Sequence, residues 1–277
     1  MEIALLLIVG GVVVGTFGSL LGLGGGVLLV PLLTLGFNLP LREAVGVSLV
    51  CVIVTSGASA SVFLDRGVAN LRLGMALELF TAIGALLGGT IAFLLDERLV
   101  AGLFALVLIY AATTMLRLKP AASEDVATPT GEGPTGAPAP AGRLMAGLSG
   151  PNYRVRAPIA GATGGVFAGT LSAILGIGGG LVMVPLMHIA MGVPLRIATA
   201  TSNLMIGVTA SASAIVYLLR GGIDPYAAAP SAVGVFVGAA VGSRLAHRVD
   251  VRVLRVLFAG VLAWTAFLML RRAAGLG

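Results

Sequence analysis

Charge, cysteine and histidine are all scarce in this sequence, and each scarcity closes off a class of function. Only 10% of the 277 residues are charged, against about a quarter in an ordinary soluble domain. The single cysteine, Cys51, sits inside an apolar stretch, so neither a disulfide framework nor a cysteine-ligated metal or iron–sulfur site is available. The two histidines are His188 and His247, and no G-x-x-x-x-G-K-[ST] run occurs, which leaves a nucleotide-driven engine without its phosphate cradle. Acidic residues number 11 against 17 basic ones, for a net charge of +6. The basic residues are spread singly between apolar runs rather than gathered on a recognition element, so the basicity reads as membrane topology and not as nucleic-acid binding. The chain opens with Met1 and Glu2 and then a long apolar run. With no basic leader and no small-residue cleavage site, this opening reads as a first membrane element rather than a signal peptide.

What the sequence has in excess is hydrophobicity, at 58% of residues, and glycine, at 41 residues. It also repeats itself. The stretch G-T-F-G-S-L-L-G-L-G-G-G-V-L-L-V-P-L from Gly15 to Leu32 returns as G-T-L-S-A-I-L-G-I-G-G-G-L-V-M-V-P-L from Gly169 to Leu186, an offset of 154. The offset then holds without a gap: Pro40-Leu41-Arg42 maps to Pro194-Leu195-Arg196, Ser48 to Ser202, Thr55 to Thr209, and Arg66-Gly67 to Arg220-Gly221. Such a repeat must be found before any single element is assigned.

Each copy begins with 39 residues free of Asp, Glu, Lys and Arg, Ile3 to Leu41 and Ala157 to Leu195. As one helix this stretch would be nearly 60 Å long at about 1.5 Å per residue, about twice the hydrocarbon thickness. Each must break, and the break falls at the glycine runs Gly22 to Gly26 and Gly176 to Gly180. The result is a hairpin whose second arm is either a tilted short span or a half-helix that dips in and returns. Three further apolar elements follow in each copy: Ala44 to Leu64, Leu73 to Leu95 and Leu99 to Leu116, then Ile197 to Leu219, Pro225 to Ser243 and about Val253 to Leu270. The fold class is therefore an all-α integral membrane protein of two repeats, 1–118 and 157–277, each a Gly-broken helical hairpin plus three transmembrane helices, with about 8–10 membrane elements. The Pro- and Gly-rich segment 119–156 between them has too little apolar surface to offset ordering entropy and reads as a disordered linker.

The positive-inside rule then sets the orientation. If each hairpin returns the chain to its starting side, or crosses twice, the copies are inverted. One side then collects 12 of the Lys and Arg residues while the other keeps Arg42, Arg98, Arg220, Arg271 and Arg272; parallel copies would divide them 10 to 7. Inversion places the linker in the cytoplasm and both termini outside, across a bacterial-type inner membrane. Inverted repeats broken at matching positions mark transporters, because the two breaks meet near the midplane and the halves exchange exposure.

The chemistry of the breaks points to an anion. Three successive glycines reach backbone angles closed to other residues, and the helix that follows presents unpaired N–H groups and roughly half a positive charge. Gly24, Gly25 and Gly26 with Gly178, Gly179 and Gly180 are thus expected to line a site. Ser48, Thr199, Thr201, Ser202 and Asn203 add neutral donors, and Arg42 and Arg196 stand at the entrance. Each has a plainer reading: glycines allow close helix packing, Ser and Thr bond back to their own helix, and the two arginines serve as topological anchors. Glu78, the sole carboxylate well inside an apolar element, is expected near the interface because it falls within two turns of its helix start. His188 is expected to be a packing residue. No cofactor or metal is called for. The expected partners are a small anionic substrate and the lipid bilayer, with no nucleic acid and with a homodimer left open.

The paired G-x-L-G-[LI]-G-G-G-x-x-x-V-P-x-L blocks, each followed by P-L-R and an A-x-x-x-S helix, resemble the TauE/SafE-type sulfite exporter family of bacterial permeases over nearly all of the chain except the linker. The resemblance implies secondary transport of small sulfur oxyanions or organosulfonates such as sulfite, thiosulfate or sulfoacetate, commonly outward. A membrane-embedded enzyme would instead need clustered acids, histidines or a nucleophile–base pair, which Glu78 and His188 do not make. A non-transporting scaffold would have no use for broken helices at equivalent positions.

Overall fold

The computed structural model describes residues 2–21, 25–65, 69–117, 155–245 and 251–275. The glycines Gly22 to Gly24 and nearly all of the segment read as a linker lie outside the described residues. Among the described residues every regular element is helical. In chain order they are α1 (Glu2–Leu21), α2 (Gly26–Pro31), α3 (Leu41–Asp65), α4 (Leu71–Ala92), α5 (Glu97–Arg117), α6 (Pro158–Leu175), α7 (Gly180–Pro185), α8 (Leu195–Leu219), α9 (Pro225–Leu245) and α10 (Val251–Ala273). Each of the first five corresponds to the helix five places later. Seven of the helices are long and apolar enough to cross a membrane. Their outward faces carry Leu5, Leu79, Leu106 and Phe236 exposed, an apolar exterior that only lipid covers without cost.

The charge-free stretches do break at the glycines. α2 opens at Gly25 and α7 at Gly179, both in the left-handed conformation, with φ of 75° and 77°. Each short helix then meets a proline, Pro31 or Pro185, and continues as a wider π turn, Leu32–Gly36 or Leu186–Ala190. Proline supplies no N–H, which frees a carbonyl one turn back and loosens the winding. Thr34 Oγ1 donates to Val30 O at 2.9 Å nearby, the kind of hydroxyl repair that lets broken helices persist at membrane depth. The arm from Gly26 to Gly36 has 11 residues, about 16 Å at 1.5 Å per residue, or half a span. α3 and α8 begin three and two residues before the apolar runs starting at Ala44 and Ile197, directly after Pro40 and Pro194, whose carbonyls accept the N–H groups of Ala44 and Ala198 in the first turn.

The two copies interlock instead of standing side by side. α1 packs against α9, and α6 against α4, so the first helix of each copy lies on the fourth helix of the other. Glycines make both contacts. A Cβ added at Gly11 would stand 2.8 Å from Ser231 O, and one added at Gly15, Gly234 or Gly238 would run into the backbone of Val235, Ile8 or Val12. Glycines of the other pair, Gly84, Gly88 and Gly169, face Val166, Thr170 and Thr81 in the same way. In lipid, where apolar side chains gain nothing by leaving water, such close backbone approach is what holds helices together.

Contact order fixes the relative directions. Gly46 meets Gly222 while Ser56 meets Asn203, so the equivalent helices α3 and α8 run antiparallel. Gly102 meets Ala273 and Arg98 meets Gly275, so α5 and α10 do the same. At one end of the molecule Arg42 donates to Leu95 O at 2.8 Å, Arg42 and Arg220 lie over the Phe93 ring, and Arg272 reaches Thr34 O.

Candidate functional site

The two helix breaks meet. A Cβ added at Gly26 would stand 2.8 Å from Gly176 O and 3.2 Å from Ser48 Oγ. Ser48, fully buried on α3, donates to Gly176 O at 2.8 Å and lies 3.3 Å from Gly26 O. One hydroxyl thus ties the first copy's break to the second's. In the second copy, Gly180 faces Ser202 Oγ at 3.4 Å from a Cβ position, the counterpart of the Gly26–Ser48 approach. Gly178, also left-handed with φ of 85°, wedges between Ile206 of α8 and Val52 of α3. Of the three glycines that open α7, Gly178 is enclosed by side chains from both copies, and Gly179 and Gly180 by residues of the second copy. Gly24 lies outside the described residues.

The first turn of α7 begins with Gly180 and Leu181, whose N–H groups precede any intrahelical acceptor; the first bonds within it run from Val182 and Met183 to Gly179 O. Two buried hydroxyls flank this turn without a hydrogen-bond partner among the described residues, Ser202 Oγ of α8 and Ser172 Oγ of α6. The carbonyl that would match Ser48's acceptor for Ser202 is that of Gly22, outside the described residues. Ser172 has no such counterpart, since Gly18 holds its place in the first copy. It is 2% exposed, and a Cβ at Gly179 would sit 3.4 Å from its own. Together with Ala168, Val107, Leu181 and Val182 these residues line a small cavity. A buried hydroxyl left unmatched carries a desolvation cost, which a bound acceptor would remove. The sequence reading overlooked Ser172; the signal was its asymmetry, a serine where the other repeat has glycine.

The remaining sequence candidates sit elsewhere. Thr201 Oγ1 accepts the Asn70 N–H at the start of α4, at 3.0 Å. Thr199 Oγ1 donates to Leu195 O, and Asn203 Nδ2 donates to Thr199 O, so both bond back to their own helix. Arg42 secures the turn after α4; the Arg196 side chain lies outside the described residues. His188 is exposed and bonds through Nδ1 to Val193 O at 3.0 Å. Glu78 lies seven residues into α4, turned toward α8, with Oε1 accepting from the Thr209 hydroxyl at 2.9 Å. Its other oxygen is buried and has no partner among the described residues.

Comparison with known proteins gives the family. The profile of the family described as "Sulfite exporter TauE/SafE" matches residues 7–269. The chain is 26% identical over 266 residues to the probable membrane transporter protein YunE of Bacillus subtilis, covering 91% of this chain and 93% of that protein. It is 25% identical over 286 residues to the probable membrane transporter protein MJ0441 of Methanocaldococcus jannaschii, with 96% and 94% covered. A shorter match, 32% over 132 residues, joins 45% of this chain to 20% of the probable membrane transporter protein MamO of Paramagnetospirillum magneticum. No solved structure matches.

Proposed function

This chain belongs to the sulfite exporter TauE/SafE family of multi-pass membrane transporters, not to an enzyme family, and from that premise we propose that it carries a small sulfur oxyanion such as sulfite, or a related organosulfonate, outward across the inner membrane. The anion binds where the two glycine breaks meet, with most of its contacts on the second copy. The observation that supports this reading is Ser172, a buried hydroxyl with no partner among the described residues, set against Gly179 where α7 begins. Ser202 faces the same turn from α8. A helix start offers N–H donors and partial positive charge, and hydroxyls add donors at far lower burial cost than a Lys or Arg. Neutral donors suit an anion whose charge is spread over several oxygens.

The copies are read as inverted repeats with the linker cytoplasmic and both termini outside. The antiparallel runs of α3 against α8 and of α5 against α10 support this, as does the gathering of Arg42, Arg220 and Arg272 at one end. Exchange of exposure between interlocked halves then alternates access to the site. Purified protein in proteoliposomes, offered sulfite, sulfate, thiosulfate and acetate, should move at least one sulfur oxyanion and leave acetate behind. Movement of none of the sulfur anions would overturn the reading.

A further inference from the structure

Resting on the reading of this chain as an anion transporter, we infer that Glu78 is a proton-binding site that couples anion movement to a pH gradient. Glu78 stands on α4 between the two helices that carry the unpartnered serines. On one side Thr209 of α8 donates to Oε1 at 2.9 Å, and Thr209 lies seven residues after Ser202. Seven residues are two turns, so both project from one face of α8. On the other side the backbone of Thr81, three residues after Glu78, meets Gly169 of α6, and Gly169 is three residues before Ser172. The Thr209 hydroxyl also lies 3.2 Å from Thr81 Oγ1, and Thr81 Oγ1 bonds the Glu78 carbonyl at 3.0 Å. Any shift of α6 or α8 on anion binding therefore moves the groups that hold the carboxyl.

Among the described residues no charged side chain acts on Glu78 as a fixed counter-charge. On α4 the one other ionisable side chain is Arg72, exposed and six residues nearer the helix start. α6 contains no ionisable side chain from Pro158 to Leu175. α8 contributes Arg196, thirteen residues before Thr209, and Tyr217, eight residues after it, whose hydroxyl donates to Ala173 O. A carboxylate held only by the neutral hydroxyls of Thr209 and Thr81, with no partner for its buried Oε2 among the described residues, is poorly stabilised in such a place. The carboxyl therefore takes up a proton while the α4–α8 contact is closed and gives it up when that contact opens to water. No redox change is involved; one O–H bond forms and breaks per cycle.

The test uses proteoliposomes loaded with the sulfur oxyanion that the wild type moves. A pH gradient should drive accumulation in the wild type and fail to do so in Glu78→Gln, while anion exchange at equal pH on both sides is retained. Thr209→Val keeps the carboxyl but removes its donor, and should shift the pH midpoint of accumulation without abolishing it. Infrared difference spectra between low and high pH should show a carboxyl band that Glu78→Gln lacks. Absence of transport of every anion by the wild type would sink the transporter reading itself. Wild-type exchange with accumulation that ignores the pH gradient, or that follows it equally in Glu78→Gln, would overturn the proton site alone.

Discussion

At the scale of single residues, three serines separate a structural role from the proposed contacts with a ligand. Ser48 is occupied: its hydroxyl joins two carbonyls from different copies. Ser48→Ala should therefore act mainly on stability, by about 1 kcal/mol for the lost hydrogen bond, and thermal unfolding in detergent without ligand reads that directly. Ser172 and Ser202 are buried and have no hydrogen-bond partner among the described residues, so alanine there removes no bond seen within them. The expected outcome for either is an unchanged melting temperature with substrate affinity lowered about tenfold or more, since a hydrogen bond to a charged group is worth about 1.5–3 kcal/mol. Equal substrate-induced stabilisation in the wild type and in both alanine variants would show that these hydroxyls touch no substrate.

At the scale of elements, glycine plays two separable roles. In the paired helices it is a matter of space. A side chain at Gly88 or Gly242 would meet the backbone of Thr170 or Thr16, and overpacking costs about 1–3 kcal/mol even where neighbours are side chains that can yield. Gly88→Val should accordingly lower the melting temperature and the yield of folded protein, with affinity preserved in what remains. At the start of α7 the constraint is conformation. A Cβ at Gly179 would meet only ordinary contacts, the nearest at 3.4 Å, but φ of 77° is unfavourable for any other residue. Gly179→Ala should cost about 1–2 kcal/mol and keep transport, whereas Gly179→Val, which also intrudes on Ser172, should abolish it while the protein stays folded. Normal transport by a folded Gly179→Val protein would mean that the break serves packing alone.

At the scale of the whole molecule, interlocking ties the two copies into one mechanical unit. With α1 on α9 and α6 on α4, neither half can move without carrying a helix of the other, which is what exchange of access between two faces requires. The proposed topology rests on the same arrangement and on the division of basic residues that inversion would give, 12 to one side and 5 to the other. In a background with Cys51 replaced, a cysteine at Ser123 should react with impermeant reagents from the cytoplasmic side only, and one at Ala274 from outside only. Reaction of both from one side would rule out the inverted arrangement.

Sequence alone determined the elements, because in lipid the constraint on them is one-dimensional. An apolar run must be helical to satisfy its backbone, and its length says whether it spans. Two charge-free stretches of 39 residues had to break, glycine was where they could, and the 154-residue offset supplied the symmetry. What the sequence could not decide was which face of each helix meets which neighbour. Thr199, Thr201, Ser202 and Asn203 are consecutive or nearly so and equally polar, yet only Ser202 turns to the α7 start, because successive residues on a helix point about 100° apart. Distance from a helix end set Glu78 near the interface, while the packing of α8 against α4 gave its carboxyl a threonine partner from 131 residues away. Ser172 entered the site for the same reason. Its role depends on α6 lying beside the break, a contact between segments that only the folded chain brings together.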